Sequence, residues 1–240
     1  MIPIYLYIRI LIGGYAKTQK DNKMLILVAN SKGGSHKTSL ATSILAELSK
    51  DFAVCGIDLD PANKAAQRWS ETRDETQGKF YFLSGDIKSE LTRVRDDYDH
   101  VVVDAGGFDN VEIRTAMLLA DMVIIPVKVG SLDNIEGYRN ISDLVAEFQP
   151  VKPTPAKCYG VVVGAKSIGG GAERDRVLAE IGSDPYVTLA NTVIADRIWY
   201  GRAVDMKVGL TEYVSPEPKD ARHVNIAKAE FLELFKELFA

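Results

Sequence analysis

A single α/β domain, built on a mostly parallel twisted sheet with helices on both faces, is the fold class this sequence predicts, and three observations carry it. Short apolar runs recur along the chain without the polar alternation of a sheet that has one wet face. Segments of helical period separate them, the order that makes strand–crossover–strand units. The 240 residues suffice for one substantial core and do not require a second domain.

The strand runs are 25–29, 53–59, 79–83, 100–104, 122–127, 159–164 and a short one at 188–190. Between them, 38–49 sets Ala41, Leu45 and Leu48 on one stripe, and 87–95, 111–120, 134–148 and 172–181 also read as crossover helices. Residues 149–155, with three prolines, and 167–171, with three consecutive glycines, are surface connections. The closing helix, about 221–239, carries Ala227, Phe231, Leu234, Phe235 and Leu238 at helical spacing. Its polar face mixes Lys228 and Lys236 with Glu230, Glu233 and Glu237, whereas a membrane-surface helix wants a basic face. It is expected to pack on its own domain or a partner.

Residues 1–23 are apolar but interrupted by Arg9, and too short to span a bilayer. Met24 stands directly before the first strand run, so 1–23 is expected to be a spurious or disordered leader and 24–240 the domain. The formal charge of -4 excludes a globally basic nucleic-acid protein, so any DNA contact must be local. Cys55 and Cys158 lie in apolar runs without metal or disulfide spacing, which suits buried thiols in a reducing cytoplasm. His100 and His223 have no metal-ligand partner at useful spacing.

Chemistry concentrates at three strand ends. The first strand leads into Ser31, Lys32, Gly33, Gly34, Ser35, His36, Lys37, Thr38 and Ser39, and then a helix. A phosphate needs backbone N–H donors, a positive helix end and an ammonium group, and a small loop between strand and helix supplies all three. The second strand ends in Asp58, Leu59, Asp60 and Pro61, two carboxylates one residue apart that share one side of the pleat. An Asp-Pro turn alone would explain Asp60 but not Asp58. The fourth strand ends in Asp104, followed by Ala105, Gly106 and Gly107, where an acid can hold a water of a bound Mg²⁺.

The loop with Lys32 five residues before Lys37 resembles the deviant Walker A motif, KGGxGK[TS], of the ParA/MinD family of P-loop ATPases, a SIMIBI-type fold. Asp58 to Pro61 looks like that family's DxDPQ segment, with Ala62 in place of Gln. The likeness continues through Ile125-Pro126-Val127, Leu132-Asp133, Thr192 to Arg197, Gly209 and Glu212-Tyr213, and is nearest to short ParF-like plasmid partition ATPases. The resemblance implies ATP and Mg²⁺ as cofactors. By it Lys37 binds the β- and γ-phosphates, Thr38 ligates Mg²⁺, Asp58 and Asp104 lie at the metal, Asp60 orients the attacking water, and Lys32 reaches the nucleotide of a second subunit. Gly33, Gly34, Ser35, His36 and Ser39 complete the nucleotide loop.

It also implies an ATP-dependent homodimer, a ParB-like centromere-binding partner, nonspecific DNA binding and a cytoplasmic, nucleoid-associated protein. Arg197, Arg202, Lys207 and Arg222, with Lys219, are the candidate DNA contacts, although Asp205, Glu212, Glu217 and Asp220 in the same stretch suit a merely solvated face. Two departures bear on the nucleotide. His36 replaces a glycine, which predicts weakened ATP binding that recovers as pH falls from about 8 to 6. Gly164-Ala165-Lys166 stands where relatives often place a base-contacting Asn. Other readings are a degenerate nucleotide-binding adaptor, and a MinD-like or conjugation-related positioning switch.

Overall fold

The computed structural model describes residues 23–107, 110–130, 132–166 and 171–240. The expected leader 1–23, apart from Lys23, and most of the 167–171 connection lie outside them. Among the described residues the strands are β1 (Met24–Val28), β2 (Val54–Asp58), β3 (Phe80–Phe82), β4 (His100–Asp104), β5 (Met122–Lys128), β6 (Lys157–Val163) and β7 (Thr188–Leu189). The helices are α1 (Lys37–Leu48), α2 (Ala65–Trp69), α3 (Lys88–Asp97), α4 (Val111–Leu119), α5 (Leu132–Phe148), α6 (Gly171–Gly182), α7 (Ile198–Asp205) and α8 (Ala221–Phe239).

The seven strands run in the order β3-β2-β4-β1-β5-β6-β7, and each neighbouring pair is parallel. Parallel strands must be buried on both faces, which is why their residues are apolar without alternation. Leu25 and Leu27 join one core layer under α3, α4, α5 and α6. Ile26 and Val28 join the other, under α1, α2, α7 and α8. The expected parallel α/β sheet with both faces covered is what the described residues form.

Chain direction sets the site. The strands β2, β3 and β4 fall to one side of β1, and β5, β6 and β7 to the other, so β1 borders the point where the winding reverses. Crevices in such sheets open at the carboxyl ends beside that point. Val28 and Asp58 are both register partners of Asp104, which brings the ends of β1, β2 and β4 level.

Helices α2 and α7 were not expected. α2 has five residues, too few for a period, and begins after Lys64 in the left-handed region at φ 48°. α7 has eight residues with Gly201 among them. The closing helix packs as expected, with Val224, Ala227, Phe231, Leu234 and Leu238 buried. Among the described residues no helix is long and apolar enough to cross a membrane. Cys55 and Cys158 are free and buried, and burial raises both thiols, Cys158 to about 11.

Candidate functional site

Just past β1, Asn30 is fully buried and pins the chain. Its Nδ2 donates to the carbonyl oxygens of Pro126 at 2.9 Å and Asn134 at 3.4 Å, while its Oδ1 accepts from the Lys32 amide at 2.9 Å. The loop therefore leaves the sheet at a fixed angle between β5 and α5. Two residues then take left-handed backbone, Gly34 at φ 71° and His36 at φ 66°. A Cβ added to Gly33 or Gly34 would meet nothing within 4 Å, so the loop faces open space. His36 precedes α1 and offers no side-chain cap to its first amides. Unsatisfied N–H groups at the start of a twelve-residue helix favour an anion there.

Lys37 lies folded along this loop. Its Nζ donates to the Lys32 carbonyl at 2.8 Å and to Ser35 Oγ at 3.4 Å. Burial lowers its pKa, and the charges of Asp104 and Asp60 oppose that. A phosphate would give the ammonium a full anionic partner in place of a carbonyl. Thr38, one residue on, donates from Oγ1 to Asp104 Oδ2 at 2.7 Å.

Asp104 is the least satisfied group in the site. Its Oδ1 is buried without a hydrogen-bond partner. Burial, helped by the charge of Asp58, pushes its pKa up to about 7, while the Thr38 bond and the Lys37 charge hold it down. A fully buried carboxylate with one orphan oxygen against a threonine hydroxyl fits a site for Mg²⁺ and its waters. Among the described residues no group of three or more His, Cys, Asp or Glu could hold a metal by itself. Mg²⁺ suits such a sparse set, since it keeps several waters and takes further oxygens from phosphates. Thr38 would ligate it and Asp104 would hold its water, and the ion would supply charge to the phosphate oxygens.

The other two carboxylates have additional duties. Asp58 accepts from the Asp60 amide at 2.9 Å and the Gln67 amide at 3.0 Å, so both oxygens serve backbone while its charge acts on Asp104. Asp60 accepts from the Ala62 and Asn63 amides at 2.9 and 3.0 Å on Oδ1, and from Asn63 Nδ2 at 3.1 Å on Oδ2. Burial alone would raise its pKa, but these bonds and Lys37 leave it lowered, so it is an ionised acceptor with room on Oδ2 for a water. Gly106 closes the arrangement, since a Cβ there would meet the Leu59 carbonyl at 3.1 Å.

Residues that the sequence did not single out complete the loop's other side. Lys32 pairs with Glu136 at 3.2 Å. Ser31 donates its amide to the Gly137 carbonyl at 3.4 Å and accepts from Asn140 Nδ2 at 3.0 Å. A Cβ on Gly137 would fall 2.2 Å from Asn30 Oδ1, so α5 needs glycine to approach the loop. A glycine inside a helical period was the available signal. A cleft of about 470 Å³ opens here, lined by Ser31, Lys32, Gly107 and Asn140 among others.

His36 stands in the loop where a glycine was expected. Its φ of 66° lies in the left-handed region that favours glycine. Its pKa is lowered from 6.5 by burial and by Lys128, with Asp196 opposing, so the ring in the ligand-free protein is held toward its neutral form. Its ring meets Tyr200 edge to face, with centroids 6.2 Å apart.

Three of the four late basic residues stand beside a carboxylate. Arg197 is bonded to Glu230, Arg202 lies 3.5 Å from Asp220 and over Trp199, and Lys207 pairs with Glu71 at 3.1 Å. Arg222 is exposed at the start of α8. Charge counted along the sequence missed these pairings, because Glu71 and Glu230 lie far from their partners in the chain.

A model of the CobQ/CobB/MinD/ParA nucleotide-binding domain matches residues 26–194. Protein ParA of Rhizobium radiobacter is 30% identical over 128 residues, 51% of this chain and 56% of that protein. The maintenance of carboxysome distribution protein A of Halothiobacillus neapolitanus is 32% identical over 119 residues, 47% of this chain and 55% of its own. The matches thus span about half the length of these curated relatives. The apo structure of McdA from Cyanothece superposes with a TM-score of 0.72 at 13% identity, covering 90% of this chain and 99% of that one. An ATP complex of a variant of that protein gives 0.66 at 12%, covering 90% and 96%.

Proposed function

We propose, from the premise that the chain belongs to the CobQ/CobB/MinD/ParA nucleotide-binding family, that it is an ATP-operated switch whose dimer forms on Mg–ATP and is released by hydrolysis. The observation that carries the reading is Asp104, with an orphan Oδ1 and its Oδ2 held 2.7 Å from the Thr38 hydroxyl, beside Lys37, whose ammonium has only neutral acceptors. In hydrolysis the oxygen of a water bonds to the γ-phosphorus, the bond from that phosphorus to the bridging oxygen breaks, and ADP and phosphate leave. Lys37 neutralises the β- and γ-oxygens, and Asp60 accepts a hydrogen bond from the water. Lys32 leaves Glu136 to meet the second subunit's nucleotide, so ATP links two chains and its loss separates them.

The cargo reading draws on the likeness to short plasmid partition ATPases, beside relatives named Protein ParA and maintenance of carboxysome distribution protein A. The proposal is therefore a positioning or partitioning ATPase that moves plasmid or chromosomal DNA with a ParB-like centromere-binding partner. Direct DNA contact has less support, because Arg197, Arg202 and Lys207 already face carboxylates. Size-exclusion chromatography with light scattering, on apo, ADP and nonhydrolysable ATP samples with Mg²⁺ at matched salt, tests the switch. A dimer only with the triphosphate is expected. A monomer in all three, with nucleotide bound, would reduce the protein to a nucleotide-binding adaptor.

A further inference from the structure

We propose that Glu230 and Glu237 of α8 are positioning residues for the nucleotide loop, acting through segment 191–197 and Tyr200. The two carboxylates stand seven residues apart on α8, two helical turns, and so face the same way. Glu237 accepts four bonds from consecutive residues. Its Oε1 takes the Asn191 amide at 2.6 Å and Asn191 Nδ2 at 2.9 Å, and its Oε2 takes the Thr192 amide at 2.9 Å and Thr192 Oγ1 at 2.8 Å. Glu230 holds the far end of the segment through a two-pronged pair with Arg197, whose side chains are 18% and 22% exposed. Charge-assisted bonds of this kind are stronger than neutral ones, and a forked pair fixes orientation as well as distance.

What lies between those anchors runs beside the site. The Ile194 amide donates to Val162 at 2.9 Å, Ala165 donates to Ile194 at 3.2 Å, and Asp196 donates to Ala165 at 2.8 Å, so the segment extends the sheet past β6. α7 starts at the next residue after Arg197. Tyr200, within its first turn, is 1% exposed and presents its ring to His36, the left-handed residue that opens α1. The contact path is therefore α8 to segment 191–197, to Tyr200, to the phosphate loop. This gives Arg197 a use that needs no DNA, and it gives α8 a means of setting how the loop closes on a ligand. The consequence for ligand affinity rests on the nucleotide reading above; the path itself does not.

The test separates the two. With three histidines in the chain, the His36 imidazole can be followed by NMR in the apo protein at pH 8, and ATP affinity measured on the same samples. Glu237→Ala and Glu230→Gln should each shift the His36 signal, leave His223 in place, and weaken Mg–ATP binding roughly fivefold. Exposed Glu233→Ala should do neither. Glu230→Asp should restore part of the effect, and Tyr200→Leu should remove any further response to Glu237→Ala. If Glu237→Ala does not fold by circular dichroism, Glu237→Gln carries the comparison. An unmoved His36 signal in both folded variants, or an equal shift in Glu233→Ala, overturns the proposal. If the wild type binds no ATP, the functional reading fails and the His36 signal alone decides the coupling.

Discussion

The phosphate loop and the α7–α8 region both looked basic in sequence, and the structure treats their charges in opposite ways. Lys37 finds only a carbonyl and a hydroxyl for its ammonium, while carboxylates that could attract it stay on the sheet ends beside it. Arg197, Arg202 and Lys207 each already have an acid. A lysine with only neutral acceptors beside a carboxylate with an orphan oxygen still has charge to offer a ligand, whereas a matched pair does not. Spacing within one loop constrains chemistry, and charge counted along the stretch from Arg197 to Arg222 does not.

Five substitutions probe that contrast, Arg202→Ala as the control for Lys37→Ala and the others in falling order of expected effect. Lys37→Ala should weaken ATP at least about 100-fold, since it removes a charge-assisted bond to phosphate with no substitute nearby. Arg202→Ala is the counterpart, expected to change binding of random duplex DNA less than about twofold and to leave its salt slope intact. A large DNA effect from Arg202 would break the comparison. Asp60→Ala should keep ATP binding, cut turnover about 100-fold and leave an ATP dimer that persists. Loss of turnover without that dimer would remove Asp60 from the role assigned to it.

Asp104→Asn sharpens the same contrast through stability. The folded pKa of Asp104 is raised to about 7, so the folded state keeps a proton that the unfolded state releases, and stability falls as pH rises from about 4 to 7. At pH 8 in EDTA the carboxylate carries the full cost, on the order of 2 kcal/mol after allowing for relaxation. Asn keeps an acceptor for Thr38 and is never charged, so the variant should melt roughly 5 °C higher at pH 8 and no higher at pH 4. Equal melting at both pH values would mean that Asp104 is not held against its charge.

The smallest effect is on the acid limb of stability. His100 is buried with Nδ1 unpartnered, and burial lowers its pKa with Asp99 opposing. His36 is lowered likewise. A group whose folded pKa is depressed contributes stability that is full above the unfolded value, about 6.5, and is lost as pH falls below it. His100→Gln should flatten the loss of Tm between about pH 6.5 and 5 by a few degrees. An unchanged slope would assign that limb to other groups.

Much of this was legible in the sequence, for physical reasons. Strands buried on both faces are continuous apolar runs, so β1, β4 and β5 stand out, and the acid at the end of β4 is where the runs stop. The loop from Lys32 to Thr38 is contiguous, so its chemistry is written in order. What could not be read were contacts made by chain-distant residues. Gly137 matters because α5 touches Asn30, Glu136 because it faces Lys32, and Glu237 because it reaches Asn191 and Thr192. Asp58 was legible as an acid at a strand end, but not as one whose oxygens serve the Asp60 and Gln67 amides.

Isothermal titration of ATP into the wild type and Asp104→Asn, each with Mg²⁺ and with EDTA, tests whether Asp104 serves a metal-assisted nucleotide site. If Thr38 and Asp104 form the metal side of a nucleotide site, Mg²⁺ should tighten wild-type binding at least about tenfold, and the variant should lose most of that gain while keeping its metal-free affinity. Binding that is equally strong with and without Mg²⁺ in the wild type, or a Mg²⁺ gain undiminished in Asp104→Asn, would contradict it.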